Sequence, residues 1–138
     1  MLPFEFVVFG KPISQQTKDR SRIQSWQASV RRSVKAVWQN PPLDEPLRIT
    51  MTHFYDVGHS DESGVPDSDN IIKPVRQALA GLIFVPDLAV IDFISRRRNL
   101  SGSFRIKGMS PVLAQGFSKG EQFLHVRIEA SLDPASLK

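Results

Sequence analysis

The chain has 138 residues, the size of one ordinary domain that can bury a hydrophobic core, so we expect a single domain over residues 1–138. Its apolar share of 41% and charged share of 23% are typical of soluble globular proteins. No apolar run approaches the length that a bilayer requires, and the opening residues do not resemble a signal peptide. A cytoplasmic protein without a membrane segment is therefore expected.

Charge and cysteine content narrow the possible partners. With no cysteine, the chain has neither disulfides nor thiolate metal sites, so a metal would need oxygen or imidazole ligands. The net charge of +4 and the pI near 9.8 favour a polyanionic partner. The basic residues gather in two clusters: Arg20, Arg22, Arg31, Arg32 and Lys35, and Arg96, Arg97 and Arg98. Either cluster taken alone is also explained as a solvated face.

The first half of the chain predicts a strand, a helix and a second strand. Residues 3–9 are β-branched and aromatic and end at a glycine, which indicates a strand and its turn. From 22 to 38, apolar residues recur at steps of three and four, as on one face of a helix. That stripe comprises Ile23, Trp26, Val30, Val34 and Val37. Residues 47–55 alternate apolar with polar side chains, and within them His53 is better explained as a sheet residue than as a ligand.

The second half predicts another helix and two more strands. A helical stripe runs through residues 70–83, where Pro74 should either begin the regular helix or distort its first turn. Its members are Ile71, Ile72, Val75, Leu79 and Leu82. Residues 89–98 and 122–131 read as strands. Between them, residues 104–107 could extend a hairpin, and Ser110 with Pro111 could begin a short helix. The predicted fold is α/β (α+β), a single mixed sheet of four or more strands with two main helices packed on it.

Three aspartates and a lysine surround the second predicted helix. If residues 67–69 are extended, Asp67 and Asp69 point into one space, and a returning strand can bring Asp87 back to it. Carboxylates 4 Å apart repel by about 4 kcal/mol per pair at an effective dielectric constant of 20, which a divalent cation such as Mg²⁺ offsets. Lys73, four residues after Asp69, could then hold a phosphate or steady a carboxylate.

Each aspartate also has a structural explanation. Aspartate commonly caps a helix start, so one of Asp67 and Asp69 needs no chemistry to account for it. Asp87 could be a turn residue after Pro86. Spacing alone leaves both explanations open.

The same segment resembles a known family. The matching residues are Asp67-x-Asp69-Asn70-x-x-Lys73-Pro74, Ala78-Leu79, Gly81, and Asp87 with Val90 three residues later. This order resembles the signature segment of RusA-type Holliday junction resolvases, and an opening strand followed by Gly10, Pro12 and Gln16 is similar to theirs. The resemblance implies a small α/β endonuclease of DNA recombination and repair, usually a homodimer, that binds four-way DNA junctions and nicks them with Mg²⁺ or Mn²⁺.

The resemblance also implies residue roles. Asp67, Asp69 and Asp87 match the essential acidic positions that bind metal, and Lys73 matches the essential lysine. The chain departs from the family pattern at Pro86, where a further acid is common, and at residues 64–66, where basic residues are common. A DNA-binding module of the same fold without catalysis is one alternative.

A metal-dependent phosphohydrolase acting on nucleotides is another, and it would show little salt dependence. For the nuclease, we expect six residues to contact DNA phosphates: Arg31, Arg32, Lys35, Arg96, Arg97 and Arg98.

Overall fold

The structure is a computed structural model that describes residues 2–56, 64–86, 90–101 and 108–131. Its elements in chain order are β1 (Phe4–Phe9), α1 (Arg20–Lys35), β2 (Leu47–Tyr55), a 3-10 helix (Ser68–Ile71), α2 (Ile72–Leu79), β3 (Val90–Asn99), α3 (Pro111–Ser118) and β4 (Phe123–Ala130). A mixed four-stranded sheet with three helices is an α+β fold, so the predicted fold class is confirmed.

The sheet has the strand order β1-β4-β2-β3. β4 pairs antiparallel with both β1 and β2, whereas β2 and β3 are parallel. A parallel pair needs a crossover connection, and the segment that contains α2 provides it. β3 is therefore an edge strand, and α2 runs back along the sheet from the end of β2 towards the start of β3.

Helices α1 and α2 pack on one face of the sheet and form the main core with it. Val30, Val34, Val75 and Leu79 are fully buried there, as the helical stripes predict. Ile23 lies half-buried and Ile72 packs against the core while partly exposed. Burying such a stripe is what stabilises short amphipathic helices.

The first helix is shifted relative to the predicted range of 22–38. Asp19 caps its start by accepting a hydrogen bond from the Ser21 amide, so the helix begins two residues earlier. It ends at Lys35. The main-chain amides of Val37 and Trp38 both donate to the Val34 carbonyl oxygen, which closes the last turn. The predicted helical range is therefore wrong at this end: Val37, which continues the apolar stripe in sequence, lies beyond the helix and is 56% exposed.

The second helix is shorter than the predicted range of 70–83. The 3-10 helix comes first, and regular α-helix follows with Pro74 as its third residue, where a missing amide costs nothing. The expected disturbance near Pro74 is thus confirmed. α2 ends at Leu79 because Ala80 is extended and Gly81 has a φ of +86°, a left-handed conformation that favours glycine.

The other face of the sheet is covered in part by α3. Ser110 caps this helix by accepting a hydrogen bond from the Leu113 amide, which confirms the helix expected after Ser110 and Pro111. Its Phe117 packs with Phe54 and Phe123 in a second, smaller core. The possible hairpin at 104–107 lies outside the described residues. In the described ranges, no helix is long and apolar enough to cross a membrane.

Candidate functional site

Asp67 and Asp69 lie at the entrance to the 3-10 helix that precedes α2. Asp67 occupies the N-cap position with an extended backbone, at φ −61° and ψ 145°, and Asp69 lies in the first turn. The extended geometry considered for residues 67–69 is therefore wrong for Asp69, because the chain already turns there. The side chains of Asp67 and Asp69 are therefore not aligned as they would be in a strand. Both nevertheless lie at the start of the same helix.

The carboxylates of these two aspartates are exposed and make no hydrogen bond or ion pair within the described ranges. Asp67 stands at a cap position without capping, since the Asn70 amide bonds to its main-chain carbonyl oxygen at 3.0 Å instead. The capping explanation thus does not account for the side chain of Asp67. Both charges are open to a ligand at a helix start, where the exposed amides favour anionic side chains.

The backbone that carries the aspartates is held from two sides. From β3, the Ser95 hydroxyl donates to the Ser68 carbonyl oxygen at 2.5 Å. From the loop after β1, the Gln15 amide donates to the Asn70 carbonyl oxygen at 2.8 Å. A backbone fixed by hydrogen bonds on two sides, with carboxylates that have no partner among the described residues, suits a preorganised cation site.

Lys73 is the second residue of α2 and is exposed. It follows Asp69 by four residues, a spacing that places two side chains on the same side of a helical segment. Asp67, Asp69 and Lys73 therefore share one end of α2, as the sequence predicts.

Asp87 lies outside the described residues. β3 begins at Val90, five residues before Ser95, and five residues of strand span about 17 Å. Because Ser95 bonds to Ser68 beside the two aspartates, the start of β3 at Val90 lies about that far along the strand from the acidic entrance. Among described residues, no group of three His, Cys, Asp or Glu side chains could hold a metal ion. The described part therefore offers two carboxylates of the expected set.

The arginine run in β3 is divided between the two faces of the sheet. Arg97 shares the helix-covered face with its pairing partner His53, whereas Arg96 and Arg98 share the opposite face with Phe54. The Arg96 guanidinium bonds to the Thr52 hydroxyl at 3.0 and 3.2 Å. These three arginines therefore do not form one continuous basic patch.

The basic residues Arg31, Arg32 and Lys35 lie on α1, in the same layer as α2. Gln27 joins the two helices by donating to the Pro74 carbonyl oxygen at 3.0 Å. Arg32 and Lys35 are exposed and Arg31 is half-buried. This cluster and the two aspartates thus lie in the same helical layer of the molecule.

A shallow groove of about 310 Å³ adjoins this layer, and the sequence alone did not indicate it. Lys11 and Arg22 line it together with hydroxyl groups of α1. The same loop that supplies Lys11 also supplies Gln15, which bonds to Asn70. The groove therefore adds two cations to the surface beside α1.

A partly buried carboxylate with several partners, unforeseen from the sequence, lies on the α3 side of the sheet. Glu5 accepts hydrogen bonds from Ser110 and from His125, the latter at 2.9 Å, and lies 3.6 Å from Arg127. Burial raises the pKa of Glu5, but the hydrogen bonds from Ser110 and His125 and the nearby charge of Arg127 outweigh it, so the net pKa lies below its ordinary value. The Ser110 hydroxyl donates to Glu5 and also caps α3 by accepting from the Leu113 amide, and the lowered pKa makes Glu5 a weak base, so these contacts are structural.

His53 is buried in β2, which confirms that it is a sheet residue. Its Nε2 lies 3.2 Å from the Gln122 side-chain oxygen, and its Nδ1 has no partner in the described ranges. Burial, with smaller contributions from Arg97 and Lys11, lowers the pKa of His53 to about 4. The ring is therefore neutral at pH 7, donating to Gln122 through Nε2.

No model of a known protein family matches this chain, and no curated protein matches it significantly. The function of the chain is therefore inferred from its own residues.

Proposed function

We propose that this chain is a Mg²⁺- or Mn²⁺-dependent, structure-selective DNA endonuclease of the RusA type. Its substrate would be a Holliday junction or related branched DNA. The observation that carries the proposal is the pair of exposed carboxylates of Asp67 and Asp69, which have no partner among the described residues and lie on a tethered backbone at a helix entrance. Hard oxygen ligands of this kind suit Mg²⁺ and Mn²⁺.

Each residue of the entrance has a distinct role in this proposal. Asp67, Asp69 and Asp87 would hold the cation, which when bound activates a water molecule and stabilises charge on the phosphate. Lys73 binds the phosphate as a point charge and offsets the negative charge of its neighbours. The α1 cluster of Arg31, Arg32 and Lys35 binds the DNA backbone in the same layer, independently of sequence.

A four-way junction offers two equivalent strands, so a two-fold symmetric homodimer fits it. We propose that the chain acts as such a dimer, in the cytoplasm, in DNA recombination or repair. Light scattering with and without junction DNA measures the assembly directly. A mass of only 15.5 kDa in both conditions contradicts the dimer.

The decisive experiment is cleavage of four-way, flap and duplex DNA with Mg²⁺ or Mn²⁺ by the wild-type chain and by Asp69→Asn. The proposal expects metal-dependent nicking of branched DNA by the wild type alone. Binding without cleavage by the wild type identifies the non-catalytic module. Hydrolysis of free nucleotides, together with DNA affinity that hardly depends on salt, identifies the phosphohydrolase. With Lys73, Arg31, Arg32 and Lys35 on DNA phosphates, about four contacts, the nuclease predicts a log–log salt slope of roughly −4.

A further inference from the structure

We propose that Ser95 and Arg97 of β3 are positioning residues for the acidic entrance, and that Arg97 is no phosphate contact. The two side chains lie two residues apart on an edge strand, so both face the helix layer. This role rests on the proposed metal site at Asp67 and Asp69, but the contacts that define it involve no metal.

The two side chains hold three carbonyl oxygens around Asp67. Ser95 donates to the carbonyl oxygen of Ser68 at 2.5 Å. The Arg97 guanidinium donates to those of Val65 and Pro66, at 3.3 and 3.4 Å. The backbone is thus bound on both sides of Asp67, while the Asp67 side chain has no hydrogen bond to any described residue.

Arg97 is itself held in place. Its guanidinium carbon lies 5.8 Å from the centre of the Tyr55 ring, within the range of a cation–π contact. The side chain is half-buried, and Val65, whose carbonyl oxygen it binds, is buried. Arginine suits this role because its planar group presents several donors in fixed directions to neighbouring acceptors.

The neighbouring arginines show the contrast. Arg98 is exposed, and its only described hydrogen bond is to the Arg97 carbonyl oxygen at 2.8 Å. Arg98 follows Arg97 directly in sequence and lies on the opposite face of the sheet. Replacing either arginine with glutamine removes one positive charge. Arg98→Gln is therefore a matched control for Arg97→Gln.

Hydrogen exchange in the metal-free protein tests the positioning role directly. The reporters are two main-chain amides. That of Asn70 donates to the Asp67 carbonyl oxygen at 3.0 Å, and that of Gln15 donates to the Asn70 carbonyl oxygen at 2.8 Å. We expect Arg97→Gln and Ser95→Ala to accelerate their exchange about tenfold, the effect of losing one hydrogen bond of this kind. Ser95→Thr, which keeps the hydroxyl, should retain wild-type exchange, as should Arg98→Gln. Amides of the central strand β4 report whether the whole fold is intact.

Two binding measurements complete the test. Arg97→Gln should weaken Mn²⁺ binding, measured by calorimetry, about tenfold, as is usual for residues that orient metal ligands. Its junction affinity should keep the wild-type salt slope, whereas loss of a phosphate contact, as in Arg31→Gln, reduces the slope by about one.

Two results for Arg97→Gln would overturn the positioning role. One is unchanged exchange at Asn70 and Gln15, and the other is a reduced salt slope of DNA binding together with wild-type Mn²⁺ affinity. A wild-type protein that binds no Mn²⁺ overturns the proposed function instead, and the exchange data still decide the role of Arg97.

Discussion

The carboxylates on the two faces of the sheet differ in what surrounds them. On the α3 side, Glu5 is 15% exposed and receives hydrogen bonds from Ser110 and His125. On the helix side, Asp67 and Asp69 are exposed, and their side chains make no such contact within the described ranges. The charge of Glu5 is stabilised by neighbouring side chains of the fold. The charges of Asp67 and Asp69 are available to a ligand. Surroundings, more than residue type, therefore separate a structural acid from a candidate catalytic one.

The largest expected effect is loss of cleavage in Asp69→Asn, which keeps the shape of the side chain and removes its charge. A bound cation supplies several kcal/mol of charge stabilisation, so we expect a rate at least roughly a thousandfold lower. Junction binding should persist, and the metal-free melting temperature should stay level or rise, because repulsion between exposed acids is relieved. Gel-based cleavage and thermal unfolding measure both quantities.

Asp67→Asn and Asp87→Asn should behave like Asp69→Asn. Lys73→Ala should lower activity without raising stability, since its charge offsets the acids. An Asp69→Asn protein that still cleaves DNA excludes the metal site.

The next largest effect concerns His53, a buried group with only one of its ring nitrogens partnered in the described ranges. Its pKa of about 4 in the fold lies below an unfolded value near 6.5, so the unfolded chain binds the proton more readily. Stability is therefore full above pH 6.5 and falls as the pH drops towards 4, by roughly 3 kcal/mol. Urea unfolding across this range measures the loss. In His53→Gln, which cannot titrate there, this part of the pH dependence should vanish.

A smaller loss of stability is expected for Glu5→Gln. Hydrogen bonds to a charged group contribute about 2 kcal/mol, so the free energy of unfolding should drop by about that amount. Because the pKa of Glu5 is depressed below 4.5, its contribution is present above pH 4.5 and is lost as the pH falls through the lower, folded-state value. Cleavage per folded molecule should equal that of the wild type. Wild-type stability combined with lost cleavage would reverse the roles of the two faces.

The smallest effect separates the basic residues of the two faces. Replacing Arg31, Arg32 and Lys35 with glutamine should reduce the salt slope of junction binding by up to about three, one for each phosphate contact. Replacing Arg96 and Arg98, which face away from the acidic entrance, should change it by less than one. Fluorescence anisotropy at several salt concentrations measures both slopes. Equal slopes for the two variants would mean that DNA reaches both faces.

Much of the fold follows from local patterns. The four strands match their predicted ranges to within one residue at each end, because alternation and β-branched residues act over a few neighbours. Helix ends are less accurate: Val37 continues the apolar stripe but lies beyond the last turn of α1. Capping by Asp19 and the left-handed Gly81 decide such ends, and periodicity does not report them.

The sequence by itself determined the α+β class and the placement of Asp67, Asp69 and Lys73 at one helix entrance. Only the tertiary structure decided which carboxylates have partners and which arginines share a face. Glu5 meets Ser110 and His125 across more than 100 residues of chain, a distance over which no sequence spacing predicts contact. The arginine run reads as one charge cluster in sequence, but successive strand residues point to opposite faces, so pairing of β3 with β2 assigns Arg97 to a different surface from its neighbours.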